Sequence, residues 1–250
     1  MNTSPGGTLH GLGVGPGDPE LMTVKAWRIL SLAPVVAWPQ GASGESRARA
    51  IAAPFIPEEA RQLPLFIPFG ARDEEVRAAY EAAAAAIAGH LGQGRDVAFL
   101  CVGDPLTYGT FGKLAALLAG RHAVRAVPGI TAAAACAAQV GLALAQGAEP
   151  FKMLPAIMEE AALRAELAAP DAAIAIIKAG HHLPRLRRLL HEAGRLDHAL
   201  VIEQLGHEGE RVVPLAQTAE LNDASYFSTI LVYPAQRDLR PVRVRGITSA

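Results

Sequence analysis

The chain has 250 residues, and its 23 Lys and Arg against 24 Asp and Glu leave a formal net charge of -1, which argues against a generally basic nucleic-acid surface. Hydrophobic residues make up 51% and aromatics only 5%, with alanine abundant, the profile of an α/β protein whose cores rest on closely packed helices. No charged segment followed by an apolar run opens the sequence and no apolar run is long enough to span a bilayer, so neither a secretory signal nor a membrane partner is expected.

Thr8 to Val14 reads as a buried strand running into the turn Gly11-Leu12-Gly13-Val14-Gly15-Pro16-Gly17-Asp18-Pro19. Its glycines allow positive φ, Pro16 stiffens it, and Asp18-Pro19 reads as an N-cap followed by proline at the first helical position. The spacing does not fit a dinucleotide fingerprint, since the third glycine slot falls on Pro16 or Asp18, nor a Walker loop, since G-K-[ST] is absent. A helix is expected over Glu20 to Leu32, a strand over Val35 to Trp38, a short helix over Ser46 to Ala53 and an extended segment over Pro64 to Phe69, closed by Gly70. Asp73 reads as the N-cap of a long alanine-rich helix through Leu91. Asp96 to Cys101 is a buried strand leading into a second irregular turn, Val102-Gly103-Asp104-Pro105-Leu106-Thr107-Tyr108-Gly109. A helix over Thr110 to Leu118 and a strand over Ala123 to Val127 follow.

Strand and helix thus alternate as in a mainly parallel sheet. The order changes at Val127-Pro128-Gly129-Ile130-Thr131, after which a small-residue helix runs to about Val140. Phe151 to Leu154, Ala172 to Ile177, Ala199 to Glu203, Arg211 to Pro214 and Tyr226 to Tyr233 read as strands, with helices over Met158 to Leu167 and His182 to Ala193. The fold class expected is α/β, with an N-terminal domain over 1–127, an α+β domain over 128–250 and a cleft between them.

Three motifs stand in one order: Gly13-x-Gly15-Pro16-Gly17-Asp18-Pro19, Gly103-Asp104-Pro105-x-x-Tyr108-Gly109 and Val127-Pro128-Gly129-Ile130-Thr131. Together they resemble the tetrapyrrole methylases, a family of S-adenosylmethionine-dependent enzymes, along nearly the whole chain. Leu63 to Phe69, Leu154-Pro155-Ala156, Lys178 to Pro184, Arg211-Val212 and Tyr226 to Val232 are similar to the branch that builds the corrin ring of cobalamin. The resemblance implies S-adenosylmethionine as co-substrate, a tetrapyrrole substrate and a homodimer. It sets the cofactor against Pro16, Val102, Gly103, Asp104, Thr107, Thr131 and Ala132, and also against Ile177, Lys178, Leu205, Ser228 and Thr229. The first turn, with Gly15 and Gly17, would face the tetrapyrrole, as would Tyr108 and Arg185. The sequence departs from the branch pattern at Val102, where glutamate is expected, at Thr107, where phenylalanine is expected, and at Leu205-Gly206, where a small residue and threonine are expected.

Methyl transfer to an electron-rich carbon asks for positioning and exclusion of water, not for a Ser-His-Asp set. If a base collects the displaced proton, Asp18 is the candidate, its other reading being a helix N-cap. Asp104 reads either as an Asx-turn residue or as a group near the cofactor's charged end. Tyr108 and Tyr226 read as ligand-stacking or as core aromatics. Arg47, Arg49, Arg185 and Arg188 are the cations available for substrate carboxylates, each with a solvated-surface reading beside it. His181-His182, with His191, His198 and His207, lacks compact ligand spacing, and no metal is expected. Cys101 and Cys136 belong to no C-x-x-C pair and read as buried, reduced side chains of a cytoplasmic protein. Arg237, Arg240, Arg243 and Arg245 read as a solvated tail. A reading from a different class, a non-catalytic binder of a corrinoid intermediate, differs in having no need of S-adenosylmethionine.

Overall fold

A computed structural model describes residues 6–68, 72–218, 227–237 and 239. The chain divides into two compact units, Met1–Thr131 and Ala132–Ala250. Residues 128–131, expected in the second domain, are held in the first unit by contacts of Gly129 described below.

The first unit is built on β1 (Thr8–Gly13), β2 (Val35–Gln40), β3 (Arg61–Phe66), β4 (Val97–Cys101) and β5 (Ala123–Val127). They form one sheet in the order β3-β2-β4-β1-β5, every neighbouring pair parallel. Alternation along the strands sorts their side chains into two layers. Leu12, Val36, Trp38, Ala98 and Leu100 pack with α1 (Val24–Leu30) and α2 (Arg47–Ala52), whereas Leu9, Val35, Ala37, Val97 and Phe99 pack with α3 (Asp73–Leu91) and α4 (Phe111–Leu118). β4 is buried along its whole length, which explains why it reads as a continuous apolar run.

Three expectations shift here. The helix expected over Glu20 to Leu32 is a 3-10 turn, Pro19–Leu21, followed by α1, because the Thr23 hydroxyl accepts the Ala26 N–H at 3.2 Å and starts a new helix. Arg72, not Asp73, is the N-cap of α3; Asp73 opens the helix with Glu74 and Glu75, three acids at its positive end. β3 begins at Arg61 because its register with β2 starts at Val35 opposite Arg61, and Pro64 is tolerated on this edge strand. Phe69 and Gly70 lie outside the described residues.

The second unit contains α5 (Ala132–Val140), β6 (Phe151–Pro155), α6 (Glu160–Leu167), β7 (Ala173–Ile177), α7 (Leu183–Glu192), β8 (Ala199–Glu203), β9 (Arg211–Pro214) and β10 (Thr229–Val232). Its sheet runs β6-β7-β10-β8-β9, with β6 and β7 parallel and the other pairs antiparallel. Leu163 and Leu167 of α6 and Leu183, Leu186, Leu189 and Leu190 of α7 cover Ile174, Ile176, Val201 and Ile230. α5, whose buried residues include Ala133, Ala135, Cys136 and Ala137, lies against β10 and β7. No described helix is long and apolar enough to cross a membrane.

Candidate functional site

In the first unit, β1 and β4 are adjacent, but the chain leaves them in opposite directions: β1 leads through α1 to β2, beyond β4, and β4 leads through α4 to β5, beyond β1. Such a divergence opens a crevice at the carboxyl ends of the two strands. Both irregular turns of the sequence stand at those ends. Val14 N–H donates to the Cys101 carbonyl at 2.9 Å and Gly103 N–H to the Gly15 carbonyl at 2.8 Å, so the turns are bonded to each other. Gly15 and Gly103 adopt φ of 80° and 69°.

The segment after β5 joins them by close backbone contact. A Cβ on Gly129 would fall 2.1 Å from the Gly103 carbonyl oxygen and 2.7 Å from the Gly13 Cα, and one on Gly13 would fall 2.5 Å from the Gly129 Cα. Three backbone segments therefore meet where no side chain fits. Asp104 locks the junction: its Oδ1 accepts the Leu106 N–H at 2.9 Å and the Thr107 hydroxyl at 3.1 Å, and its Oδ2 accepts the Gly129 N–H at 3.1 Å. The carboxylate makes the Asx turn that the first of its two readings requires. Val102, Thr107, Thr131 and Ala132 are half-buried, and Tyr108 is 48% exposed at φ 53°, a left-handed conformation that bulky residues rarely take.

Gly15, Pro16 and Gly17 are buried. Asp18 Oδ1 accepts the Glu20 N–H at 2.8 Å and caps the 3-10 turn, as its N-cap reading requires.

In the second unit, the register Ile230 opposite Ile176 and Thr229 opposite Ile202 puts Ile177, Lys178, Leu205, Ser228 and Thr229 at one end of the β7-β10-β8 set. The backbone there is unusual: Lys178 and Gln204 adopt φ of 60° and 50°. Such conformations concentrate at ligand sites. Ala179 N–H donates to the Ser228 carbonyl at 3.0 Å, tying β7's exit to β10's entry.

Sequence reading missed a residue at this end. Glu203, 3% exposed, pairs with Arg211 across the β8–β9 ladder and accepts the Ser228 hydroxyl at 3.4 Å. Its one visible signal is an acid closing the otherwise apolar stretch Ala199-Leu200-Val201-Ile202.

The expected cations are otherwise engaged. Arg185 donates to the carbonyls of Ala156 and, at 3.3 Å, Met158, so its guanidinium organises the turn after β6. Arg188 pairs with Glu160 and Glu192, and Arg49 bonds Gln62 and lies 5.4 Å from the Trp38 ring. Arg237 is no solvated tail residue: its side chain is 5% exposed and paired with Glu149 at 2.9 Å, over the Tyr233 ring. Tyr226, Arg240, Arg243 and Arg245 lie outside the described residues. Both cysteines are free and buried; desolvation pushes the Cys136 thiol up to about 12 and the Cys101 thiol higher still. Among the described residues no group of three or more His, Cys, Asp or Glu could hold a metal ion.

Residues 8–220 match the family of Tetrapyrrole (Corrin/Porphyrin) Methylases. The chain is 40% identical over 240 residues to a precorrin-2 C(20)-methyltransferase of Sinorhizobium sp, covering 93% of this chain and 97% of that protein. It is 30% identical over 230 residues to the cobalt-precorrin-2 C(20)-methyltransferase of Salmonella typhimurium, covering 90% and 96%. In fold it is similar to the crystal structure of a uroporphyrin-III C-methyl transferase from Thermus thermophilus complexed with S-adenyl homocysteine, with a TM-score of 0.67 at 24% identity over 91% of this chain and 97% of that one.

Proposed function

Since the chain belongs to the tetrapyrrole methylase family, we propose that it methylates C20 of precorrin-2 with S-adenosylmethionine, giving precorrin-3A in cobalamin biosynthesis. The observation that supports this ring position is the 40% identity, along 93% of the chain, to a precorrin-2 C(20)-methyltransferase. S-Adenosylmethionine supplies a sulfonium methyl whose carbon bonds to the tetrapyrrole while sulfur keeps the electron pair of the broken S–C bond.

The residues at the turns suit such a co-substrate. Thr107 and Thr131 bring small polar side chains, Val102 an apolar wall, and Gly103, at positive φ, a backbone without a side chain. We assign these residues with Pro16, Asp104 and Ala132 to cofactor binding, and from the second unit Ile177, Lys178, Leu205, Ser228 and Thr229. Gly15, Gly17 and Tyr108 are assigned to the tetrapyrrole. The chain's main work is to hold the carbon in line and to exclude water, which together lower a barrier by several kcal/mol. Asp18 is the proton acceptor: Oδ1 is taken by Glu20 N–H and Oδ2 receives the proton displaced from the methylated carbon.

The test is incubation with precorrin-2 and S-adenosylmethionine labelled at the methyl carbon, followed by NMR of the product. Label at C20 is expected; label at another carbon would sink the ring position and leave methyl transfer standing. Cobalt-precorrin-2 is the second substrate to try, because the Salmonella relative carries that name. Asp18→Asn separates its two roles. Asn caps a helix as well as Asp does, so stability should hold while kcat falls by about 10²–10⁴-fold. An unchanged kcat would leave Asp18 a cap alone.

A further inference from the structure

Lys25 on α1 and Arg125 on β5 are both exposed and have no hydrogen-bonding or acidic partner among the described residues. They line one depression of about 290 Å³ together with His10, Ile29, Ala126 and Val127. The topology explains why the two cations share it. β5 is the edge strand beside β1, and register sets Arg125 directly beside His10. α1 packs on the same face of the sheet through Ala26 and Leu30, which brings Lys25 and Ile29 to the border of the open edge.

His10 forms part of the wall. It is 9% exposed, its Nε2 lies 3.6 Å from Asp96 Oδ2, and its Nδ1 is buried without a partner. The other oxygen of Asp96 accepts the Thr8 N–H at 2.7 Å, so that carboxylate is fixed at the strand start. Burial holds the imidazole below its ordinary pKa; Asp96 opposes that, and Arg125 and Lys25 add to it. A neutral ring directs its N–H at Asp96 and leaves Nδ1 as a bare acceptor. The pocket thus carries two positive charges with no acid in contact among the described residues, an apolar floor and a histidine whose pKa those charges help to lower.

We propose that this depression binds a small organic carboxylate, its charge held between Arg125 and Lys25 and a short apolar body resting on Ile29, Ala126 and Val127. The volume lies at the low end of ligand pockets, roughly 300–1,000 Å³, and limits the ligand to a few carbons. Arginine's fork matches a carboxylate in two parallel bonds. The bound charge cancels the field of Arg125 and Lys25 at His10, so the imidazole takes up a proton more readily. By linkage the carboxylate binds more tightly as pH falls. The site shares no residue with the cofactor and substrate assignments above, so its test does not depend on methyl transfer.

The experiment is an NMR titration of the full chain with butyrate, with inorganic phosphate as the anion lacking an apolar body, at constant ionic strength. Butyrate should give saturable shifts at His10, raise the His10 pKa, and bind at least threefold more tightly at pH 6 than at pH 7.5. Lys25→Ala and Arg125→Ala, both at exposed positions, should each weaken it at least fivefold with the fold intact. The proposal is overturned by shifts that never saturate, by unchanged butyrate affinity in the double variant, or by phosphate binding as tightly as butyrate.

Discussion

Asp104 spends three acceptor positions on the chain itself, two within its own turn and one on Gly129. An asparagine there keeps one oxygen and turns an amide N–H2 toward the Gly129 N–H, leaving two donors face to face. Asp104→Asn should therefore lower stability by about 1–3 kcal/mol in chemical denaturation, and a variant as stable as the original protein would mean that the bond to Gly129 contributes nothing. Gly129→Ala should be worse, since the contacts that a Cβ meets are backbone atoms that cannot swing aside. The cysteines are predicted to be inert. Cys136 is 1% exposed and its thiol is pushed up to about 12, so a disulfide reagent at pH 8 should label neither cysteine in the native protein and both after denaturation. Stoichiometric labelling without denaturant would contradict that burial. These single-residue features differ in how far the sequence displays them. The Asx turn of Asp104 is visible because its acceptor pattern is local. The pairing of Arg237 with Glu149 is not, because 88 residues separate the two and only the folded sheet brings them together.

The ends of β7, β10 and β8 form one backbone assembly, and Glu203 is its buried tie. Its carboxylate joins Arg211 on β9 to Ser228 at the start of β10, beside the left-handed Gln204. A glutamine at 203 keeps the shape but loses the charge opposing Arg211, and this frees the segment that carries Ser228 and Leu205. Glu203→Gln is expected to weaken S-adenosylmethionine binding at least tenfold, about 1.4 kcal/mol by titration calorimetry, with far-UV circular dichroism unchanged. Equal affinity would show that the tie serves β8 and β9 alone. Whole elements were easier to read than their edges. β4, β7 and β8 stand out as short apolar runs, and β5 runs from Ala123 to Val127 as read. β3 slid toward its apolar end because Arg61 and Gln62 are exposed on an edge strand and its start is set by pairing with β2. The break before α1 escaped because Thr23 has the same composition signal inside a helix as at its cap. The glycine turns were legible as motifs, whereas Lys178 and Gln204, which reach φ > 0 without being glycine, gave no sign of it.

For the molecule as a whole, charge is nearly balanced and three histidines weigh on the acid side of its stability. Burial lowers the pKa of His10, His90 and His182 below 6.5 in the folded chain. The unfolded chain therefore takes up protons first as pH falls. Their contribution is present above pH 6.5 and is lost as pH drops through the folded-state values. Thermal unfolding should move to lower temperature between pH 7 and 5, and His10→Asn, which removes the most buried of the three, should flatten that slope most. A slope unaltered by the variant would assign the effect elsewhere. The order β3-β2-β4-β1-β5 has one more consequence, for the chain as it is made. β1 is made before every other strand of its sheet, and its neighbour β4 and the Asp96 that anchors Thr8 come 88 residues later. At about 5–20 residues per second, that is a wait of roughly 4 to 18 seconds with an apolar strand unpaired. Nascent chains stalled before residue 101 should accordingly be the form of this protein most dependent on chaperone capture.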